Sequence, residues 1–300
     1  MSPGGAPHPR FLQERLALRA PGAGMMRDGR SAASAKCLFI DVRNSARRKR
    51  LLHGRRSGWH HGPAAIPASP MPTDHRQRFL QLALDANALR FGEFTLKSGR
   101  TSPYFFNAGH FDSGAALATL AGCYADAIDA AAVAGSIGNF DLLFGPAYKG
   151  IPLATALACE YARRGRDLPL AFNRKEAKGH GEGGSLIGAP LAGRRVLIVD
   201  DVITAGTAIR EALAIIADAG GTPAGIVIAL DRQEAVAEGG DSAAARRSAA
   251  QVVAAEAGIP VIAVATLSDL LAFTGQSAEL VAQRERLLAY RARYGSAGSA

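Results

Sequence analysis

The chain has 300 residues and 48% of them are hydrophobic, which is enough for one large or two modest domains with a real core. Its formal net charge is +9, but residues 1–70 hold 13 Lys and Arg against 3 Asp and Glu, so the remainder is close to neutral. A basic balance confined to one terminal segment does not predict a nucleic-acid partner for the globular part.

Residues 1–70 are rich in Gly, Pro, Ser and Arg and contain one short apolar run, at 37–40. They are predicted to be a disordered basic leader or a misassigned N-terminal extension, with Met71 as the natural start. An Arg-rich transit peptide is the alternative, although no clean amphipathic helix is present. No apolar stretch approaches the length of a signal-peptide core or a membrane span, so we expect a cytoplasmic protein with no membrane partner.

We expect a protein that starts at Met71 to stay folded and to keep the activity of the full chain. The segment before it has no periodic apolar face, so the core should lose little buried area. Circular dichroism of the truncated and full-length proteins tests this, and an insoluble or unfolded truncation would contradict it.

Residues 74–90 have the apolar periodicity of an amphipathic helix. Two β-prone pieces then flank a turn at Ser98-Gly99, which predicts a hairpin. Phe105 and Phe106 are consecutive in the second piece, so their rings must lie on opposite faces of the strand and one can contact a ligand.

A helix-prone segment at 113–134 precedes a short strand at 141–144, which ends in Gly145-Pro-Ala-Tyr-Lys-Gly150 ahead of another Ala-rich helix. Parallel α/β sheets bind ligands at the carboxyl ends of their strands, so Tyr148 and Lys149 are candidate binding groups. A plain loop with a solvated lysine is the alternative.

A third strand at 168–172 opens into residues 173–185, which contain four glycines and cannot bury a core. A mobile loop is predicted there. The loop concentrates cationic side chains before its glycines, which favours an anionic ligand over a solvated charge run. These side chains are Arg174, Lys175, Lys178 and His180.

The clearest motif follows the apolar run 196–199, which predicts a strand buried on both faces. Asp200 and Asp201 end the strand, and Thr204-Ala-Gly-Thr207 leads into a helix at 208–219. Backbone N–H groups and the helix dipole at such a turn favour a phosphate. The two acids would repel a bare phosphate, so the ligand should also carry hydroxyls or a divalent cation, as a ribose phosphate with Mg²⁺ does.

Another strand at 223–230 ends at Arg232, whose planar fork suits a carboxylate or an imide edge. The remaining chain predicts a helix near 243–257, a strand at 259–265, helices near 267–273 and 277–291, and a frayed end at 295–300. Strands alternate with helices from 113 to 265, which predicts an α/β fold with a central parallel sheet flanked by helices.

The segment 196–208 closely resembles the phosphoribosyl diphosphate signature of the type I phosphoribosyltransferases. Over residues 74–294 the chain resembles the bacterial orotate phosphoribosyltransferase family, including the loop series Arg174-Lys-Glu-Ala-Lys-Gly-His-Gly-Glu-Gly183. The resemblance implies the type I phosphoribosyltransferase fold, with an N-terminal hood subdomain at about 71–112 and a core at about 113–294.

The resemblance also implies transfer of the phosphoribosyl group from 5-phospho-α-D-ribose 1-diphosphate to orotate, giving orotidine 5′-monophosphate and diphosphate in pyrimidine (UMP) biosynthesis. It implies a homodimer with shared active sites, and Mg²⁺ held mainly by substrate and water with no direct protein ligand. The implied catalytic residues are Lys178, His180, Asp200 and Asp201. The implied phosphoribosyl diphosphate contacts are Lys97, Tyr148, Lys149, Arg174, Lys175, Lys178, His180, Asp200, Asp201, Val202, Ile203, Thr204, Ala205, Gly206, Thr207 and Ala208. The implied orotate contacts are Lys97, Phe105, Phe106, Thr204 and Arg232.

Two other functions stay open on the residues alone. One is a phosphoribosyltransferase for another base, which Lys97 and Arg232 disfavour because purines and uracil carry no carboxylate. The other is a non-catalytic regulator that senses phosphoribosyl diphosphate, which the intact cationic loop disfavours.

Overall fold

A computed structural model of the chain describes residues 74–96, 99–175, 185–236, 246–276 and 278–297. These residues belong to a compact unit that spans Ala65–Ala300, and a second unit, Met1–Ala64, lies outside the described residues. Lys97, Lys178 and His180 also lie outside them.

The helices and strands follow the predicted order. The helices are α1 (His75–Asp85), α2 (Gly114–Val133), α3 (Gly150–Arg163), α4 (Thr207–Asp218), α5 (Ala249–Ala257), α6 (Leu267–Thr274) and α7 (Val281–Tyr294). The strands are β1 (Leu89–Thr95), β2 (Thr101–Phe106), β3 (Leu142–Gly145), β4 (Leu170–Asn173), β5 (Leu186–Gly188), β6 (Arg195–Asp200), β7 (Thr222–Asp231) and β8 (Val261–Thr266). Short 3-10 helices cover Ala108–His110 and Ala278–Leu280.

The main sheet has the strand order β5-β4-β3-β6-β7-β8, with the predicted central strand β6 lying between β3 and β7 and parallel to both. β4 and β8 extend the parallel sheet, which confirms the predicted α/β architecture. β5 pairs antiparallel with β4 at one edge and was not predicted. Three residues are too few to show a periodic pattern in the sequence.

The core has two layers, one on each face of this sheet. Residues 196–199 of β6 are fully buried, and alternate side chains enter opposite layers. Leu197 and Val199 pack in the layer that contains residues of α1, α2 and α3, whereas Val196 and Ile198 pack in the layer that contains residues of α4 and α5. A continuous apolar run is thus required here because both faces are covered.

The hairpin predicted within the hood forms from β1 and β2, which pair antiparallel. Phe105 and Phe106 lie on opposite faces of β2, as expected from strand geometry. The ring centroid of Phe106 lies 5.9 Å from that of Phe79 on α1 and 6.2 Å from that of Phe111. The Phe105 ring lies 5.5 Å from that of Phe94 on the other side.

The predicted helices at 74–90 and near 243–257 were too long, and the prediction of a frayed end at 295–300 was wrong for its described residues. α1 ends at Asp85, and α5 begins at Ala249, where Ser248 forms a capping box. Residues 295–297 are not frayed: Gly295 forms a β-bridge with Glu234, and Ser296 is buried. Their partners lie far away in sequence, so no local pattern could reveal them.

By length and composition, α2 is apolar enough to cross a membrane, which corrects the expectation that no stretch is. α2 is 20 residues long and rich in Ala. Leu120, Tyr124 and Ile128 on one face are buried in the core, so packing explains its apolar composition.

Candidate active site

Three neighbouring parallel strands bring five of the predicted site residues to one edge of the sheet. β3, β6 and β7 are adjacent and run in the same direction, so the loops that follow them start side by side. The loop after β3 carries Tyr148 and Lys149, β6 ends in Asp200 and Asp201, and Arg232 follows β7. This edge is where α/β sheets bind ligands.

An ion pair joins the first two loops. The Lys149 Nζ lies 2.7 Å from Asp201 Oδ2, with the lysine side chain about half exposed and the aspartate side chain nearly buried. Lys149 Nζ also lies 3.4 Å from Asn107 Oδ1, at the end of the hood hairpin. Sequence reasoning did not single out Asn107, because its pattern signals only a helix cap.

Two glycines shape the loop after β3. A Cβ at Gly150 would lie 2.6 Å from Pro146 Cδ and 2.7 Å from the Val199 carbonyl oxygen, and one at Gly145 would clash with the Gly150 carbonyl. The loop is further held by Asn173, whose Oδ1 accepts the Ala147 N–H at 2.8 Å. Lys149 therefore stands on backbone that packs directly on the central strand β6.

The turn after β6 has the features of a phosphate cradle. Gly206 takes φ 76°, in the left-handed region that favours glycine, and no side chain caps the start of α4 behind it. α3 and α7 also begin without a side-chain cap, whereas side chains cap α1, α2, α5 and α6. The exposed residues of the turn are Thr204, Ala205, Thr207 and Ala208, while Ile203 and Gly206 are buried. Uncapped backbone N–H groups at a helix start are donors for an anion.

Asp200 is buried beneath this turn. Its Oδ1 accepts the Asp201 N–H at 2.9 Å, and its carbonyl oxygen accepts the Tyr124 hydroxyl at 2.8 Å. Burial, and after it the neighbouring charge of Asp201, raise the pKa of the Asp200 carboxyl to about 7. Asp200 thus exchanges its proton near neutral pH, unlike an ordinary aspartate.

We expect Asp200→Asn to stabilise the protein more at pH 8 than at pH 5. The pKa of Asp200 rises from 3.8 to about 7 on folding. The free energy of unfolding that this carboxyl contributes is therefore fully present below pH 3.8 and is lost as the pH rises through 7. Asn keeps the oxygen acceptor but does not ionise, so the difference from wild type should grow by on the order of 2 kcal/mol across this range.

Urea unfolding of wild type and Asp200→Asn at both pH values measures this difference. Asp218→Asn, an exposed change at the end of α4, serves as the control. An equal effect of Asp200→Asn at pH 5 and pH 8 would show that the carboxyl titrates normally.

Arg232 lies beside the hood at the end of β7. Its side chain is 21% exposed, its Nη2 lies 2.6 Å from Glu234 Oε1 and 3.4 Å from Ser102 Oγ, and its Cζ lies 5.1 Å from the Tyr104 ring centroid. The ion pair with Glu234 was not foreseen, because two residues of opposite charge at this spacing are common on surfaces.

The start of the cationic loop approaches the loop after β3. The Nζ of Lys175 lies 5.4 Å from the ring centroid of Tyr148, which is 68% exposed. The Arg174 N–H donates to the Ser185 carbonyl at 2.6 Å, so the two ends of the loop lie together.

Residues 124–242 match the family model described as the phosphoribosyl transferase domain, and with the fold and the edge loops they define the chain as a type I phosphoribosyltransferase. The chain is 78% identical over 224 residues to the orotate phosphoribosyltransferase of Xanthomonas campestris pv. campestris (strain B100), a match that covers 75% of this chain and 98% of that protein. The chain belongs to the orotate phosphoribosyltransferase family.

Two further relatives agree. The orotate phosphoribosyltransferase of Stenotrophomonas maltophilia (strain K279a) is 71% identical over 223 residues, covering 74% of this chain and 97% of that protein. The crystal structure of the Francisella tularensis orotate phosphoribosyltransferase is 40% identical with a TM-score of 0.62, covering 73% of this chain and 96% of that chain. The chain is therefore an enzyme of pyrimidine biosynthesis that transfers the phosphoribosyl group of phosphoribosyl diphosphate to orotate, giving orotidine 5′-monophosphate.

Proposed function

We propose that the residues at the carboxyl edge of β3, β6 and β7 carry out this transfer, each at a different part of the two substrates. The observation that supports this most is the Lys149–Asp201 ion pair of 2.7 Å, which joins the loop after β3 to the motif after β6. A cation and an anion held together at one edge suit a sugar whose ring becomes positive while its leaving group becomes negative.

The reaction needs no protein nucleophile. Orotate N1 releases its proton to solvent and forms a bond to C1′ of the ribose as the bond from C1′ to diphosphate breaks, and diphosphate leaves with the electron pair. The sugar gains oxocarbenium character in between, so the protein acts by positioning the reactants and stabilising charge. Asp200 and Asp201 are proposed to bind the ribose hydroxyls and to stabilise the positive ring.

The 5′-phosphate is proposed to lie on the turn formed by residues 202–208. The start of α4 has no side-chain cap and follows the left-handed Gly206, so backbone N–H groups there are available to an anion. Thr204 is also proposed to contact orotate, since it lies exposed at the near end of the turn.

The diphosphate is proposed to lie between the loop after β3 and the cationic loop. The described residues that border this space are Tyr148, Lys149, Arg174 and Lys175. Lys97, Lys178 and His180 are assigned to it by family resemblance, with Lys178 or His180 as the proton donor to the leaving group.

Mg²⁺ is proposed as the cofactor. The described residues contain no group of three or more His, Cys, Asp or Glu side chains placed to hold a metal ion. Asp200 Oδ1 and Asp201 Oδ2 are already bonded to the protein, so the residues present fit an ion held mainly by substrate oxygens and water. When bound, the ion would neutralise charge on the diphosphate.

Orotate is proposed to lie against Arg232, under the hood, together with Lys97 and the pair Phe105 and Phe106. The Phe106 ring packs on Phe79 and Phe111, so its described contacts are within the hood. Arg232 reaches the hood through Ser102, which places it where the hood meets β7.

We expect Arg232→Lys to weaken the use of orotate far more than the binding of phosphoribosyl diphosphate. Lysine keeps the charge but loses the planar fork, so about 1.5 to 3 kcal/mol of charged hydrogen bonding is lost. Steady-state kinetics with each substrate varied in turn measures this, through loss of orotate absorbance. Unchanged KM and kcat for orotate would remove Arg232 from the base site.

The enzyme is further proposed to be a cytoplasmic homodimer whose loop at 174–185 reaches the neighbouring subunit's site. A polar, glycine-rich loop extends readily from its strand, and a two-fold interface beside the sheet edge would bring the partner's acids within its span.

A further inference from the structure

A buried polar cluster lies behind Arg232, where the hood, the end of β7 and α7 meet. We call Arg232, Glu234, Ser102, Tyr104 and Tyr290 the arginine cluster. The side chain of Arg232 is 21% exposed and that of Glu234 is 14% exposed. The Tyr104 ring faces Arg232 on one side and meets the Tyr290 ring edge-on at a centroid distance of 6.3 Å on the other.

We propose that Glu234 is a positioning residue for orotate: its carboxylate holds the Arg232 guanidinium against Tyr104 so that the remaining donors face the base. This rests on the assignment of Arg232 to orotate under the proposed function. Glu234 itself does not contact substrate in this proposal.

The geometry of the pair distinguishes it from a purely structural ion pair. A carboxylate that serves only stability binds arginine best through two parallel contacts. Here the close contact is an ion pair between Nη2 and Oε1, and neither Oε1 nor the buried Nε has a hydrogen bond among the described residues. An unmade bond to a buried donor costs free energy, so a pair optimised for stability would be expected to use both nitrogens.

A single contact at Nη2 is sufficient to orient the guanidinium. The Tyr104 ring lies 5.1 Å from Cζ, and Glu234 Oε1 lies 2.6 Å from Nη2. Together they restrict rotation of the planar group, because turning it would break the ion pair. A preoriented fork loses less entropy when the substrate binds.

Glu234 is in turn held by the C-terminal segment. It forms a β-bridge with Gly295, the Ala235 N–H donates to the Tyr294 carbonyl at 2.8 Å, and the Ser296 N–H donates to the Gln233 carbonyl at 2.7 Å. Residues 294–296 thus fix the backbone on both sides of Glu234. Residues 294–296 thereby have a role in the base site although they contact no substrate in this proposal.

The test is a set of Glu234 variants with each substrate varied separately. We expect Glu234→Ala to raise the KM for orotate by at least about tenfold, with the KM for phosphoribosyl diphosphate within about twofold of wild type. Glu234→Gln should keep most of the wild-type KM, because it has nearly the same shape and keeps an oxygen beside Nη2. Glu93→Ala is the matched control, since exposed Glu93 of β1 pairs with Arg286 of α7 at 3.3 Å.

Three results would overturn the proposal. A lower KM for orotate in both Glu234 variants would show that the negative charge of Glu234 only weakens the binding of anionic orotate. Equal increases in both KM values together with a lower melting temperature would show a structural role. Unchanged orotate KM in Glu234→Ala would show no role. If the Ala variant does not fold, Glu234→Asp, whose carboxylate is one methylene shorter, decides by the same comparison.

A double-mutant cycle separates this proposal from the one it rests on. If Glu234 acts through Arg232, then Glu234→Ala should add no further change in orotate KM to Arg232→Ala. If Arg232→Ala leaves orotate KM unchanged, the assignment of Arg232 to orotate is wrong. If Arg232→Ala raises it and Glu234→Ala does not, only the role of Glu234 is wrong.

Discussion

Gly150→Ala is expected to lower kcat/KM by at least about a hundredfold, because a displacement of about 1 Å in a positioned group can have that effect. The added Cβ would lie 2.7 Å from the Val199 carbonyl oxygen and 2.6 Å from Pro146 Cδ. Val199 belongs to the central strand β6 and is fully buried, so its backbone cannot shift away from the added Cβ. The start of α3 must move instead. Lys149 moves with it and loses its place beside Asp201.

Gly122→Ala is the matched control. Gly122 lies within α2, and a Cβ there would meet no atom within 4 Å. Alanine in a helix interior is favoured over glycine by about 1 kcal/mol, so this variant should be at least as stable as wild type and fully active. Kinetics and thermal melting of both variants test the pair, and wild-type kinetics in Gly150→Ala would show that the loop after β3 is not part of the site.

Mixing two inactive variants is expected to restore about a quarter of the active sites, if the homodimer shares its sites. Lys178→Ala removes a cation from the loop, and Asp201→Ala removes an acid from the motif after β6. Each variant should be nearly inactive alone. When the two are unfolded and refolded together in equal amounts, random pairing makes half of the dimers mixed, and each mixed dimer has one site without a lesion.

Refolded wild type and a direct measurement of mixed dimers are the controls. Recovery near the expected fraction supports a loop that acts on the partner's site. If mixed dimers form and wild type regains its activity, but the mixture stays as inactive as its parents, each loop closes over its own subunit.

The central strand, its acids and the phosphate turn could be predicted because their chemistry is local. Residues 196–199 are continuously apolar because both faces of β6 are covered, and Gly206 marks a backbone conformation that other residues rarely adopt. Such features depend on neighbours in the chain, so the sequence alone determined the fold class, the family resemblance and the candidate phosphate site.

The contacts between those parts were decided by the tertiary structure. Lys149 and Asp201 are 52 residues apart, and they meet because β3 and β6 are neighbours in the sheet. Glu234 reaches its place through a bridge to Gly295, in a segment that the local pattern predicted to be frayed. Apolar periodicity reports which face of an element is buried but not which distant element covers it. The partners of Lys149 and Arg232 therefore depend on strand order and on how the C-terminal segment packs beside β7.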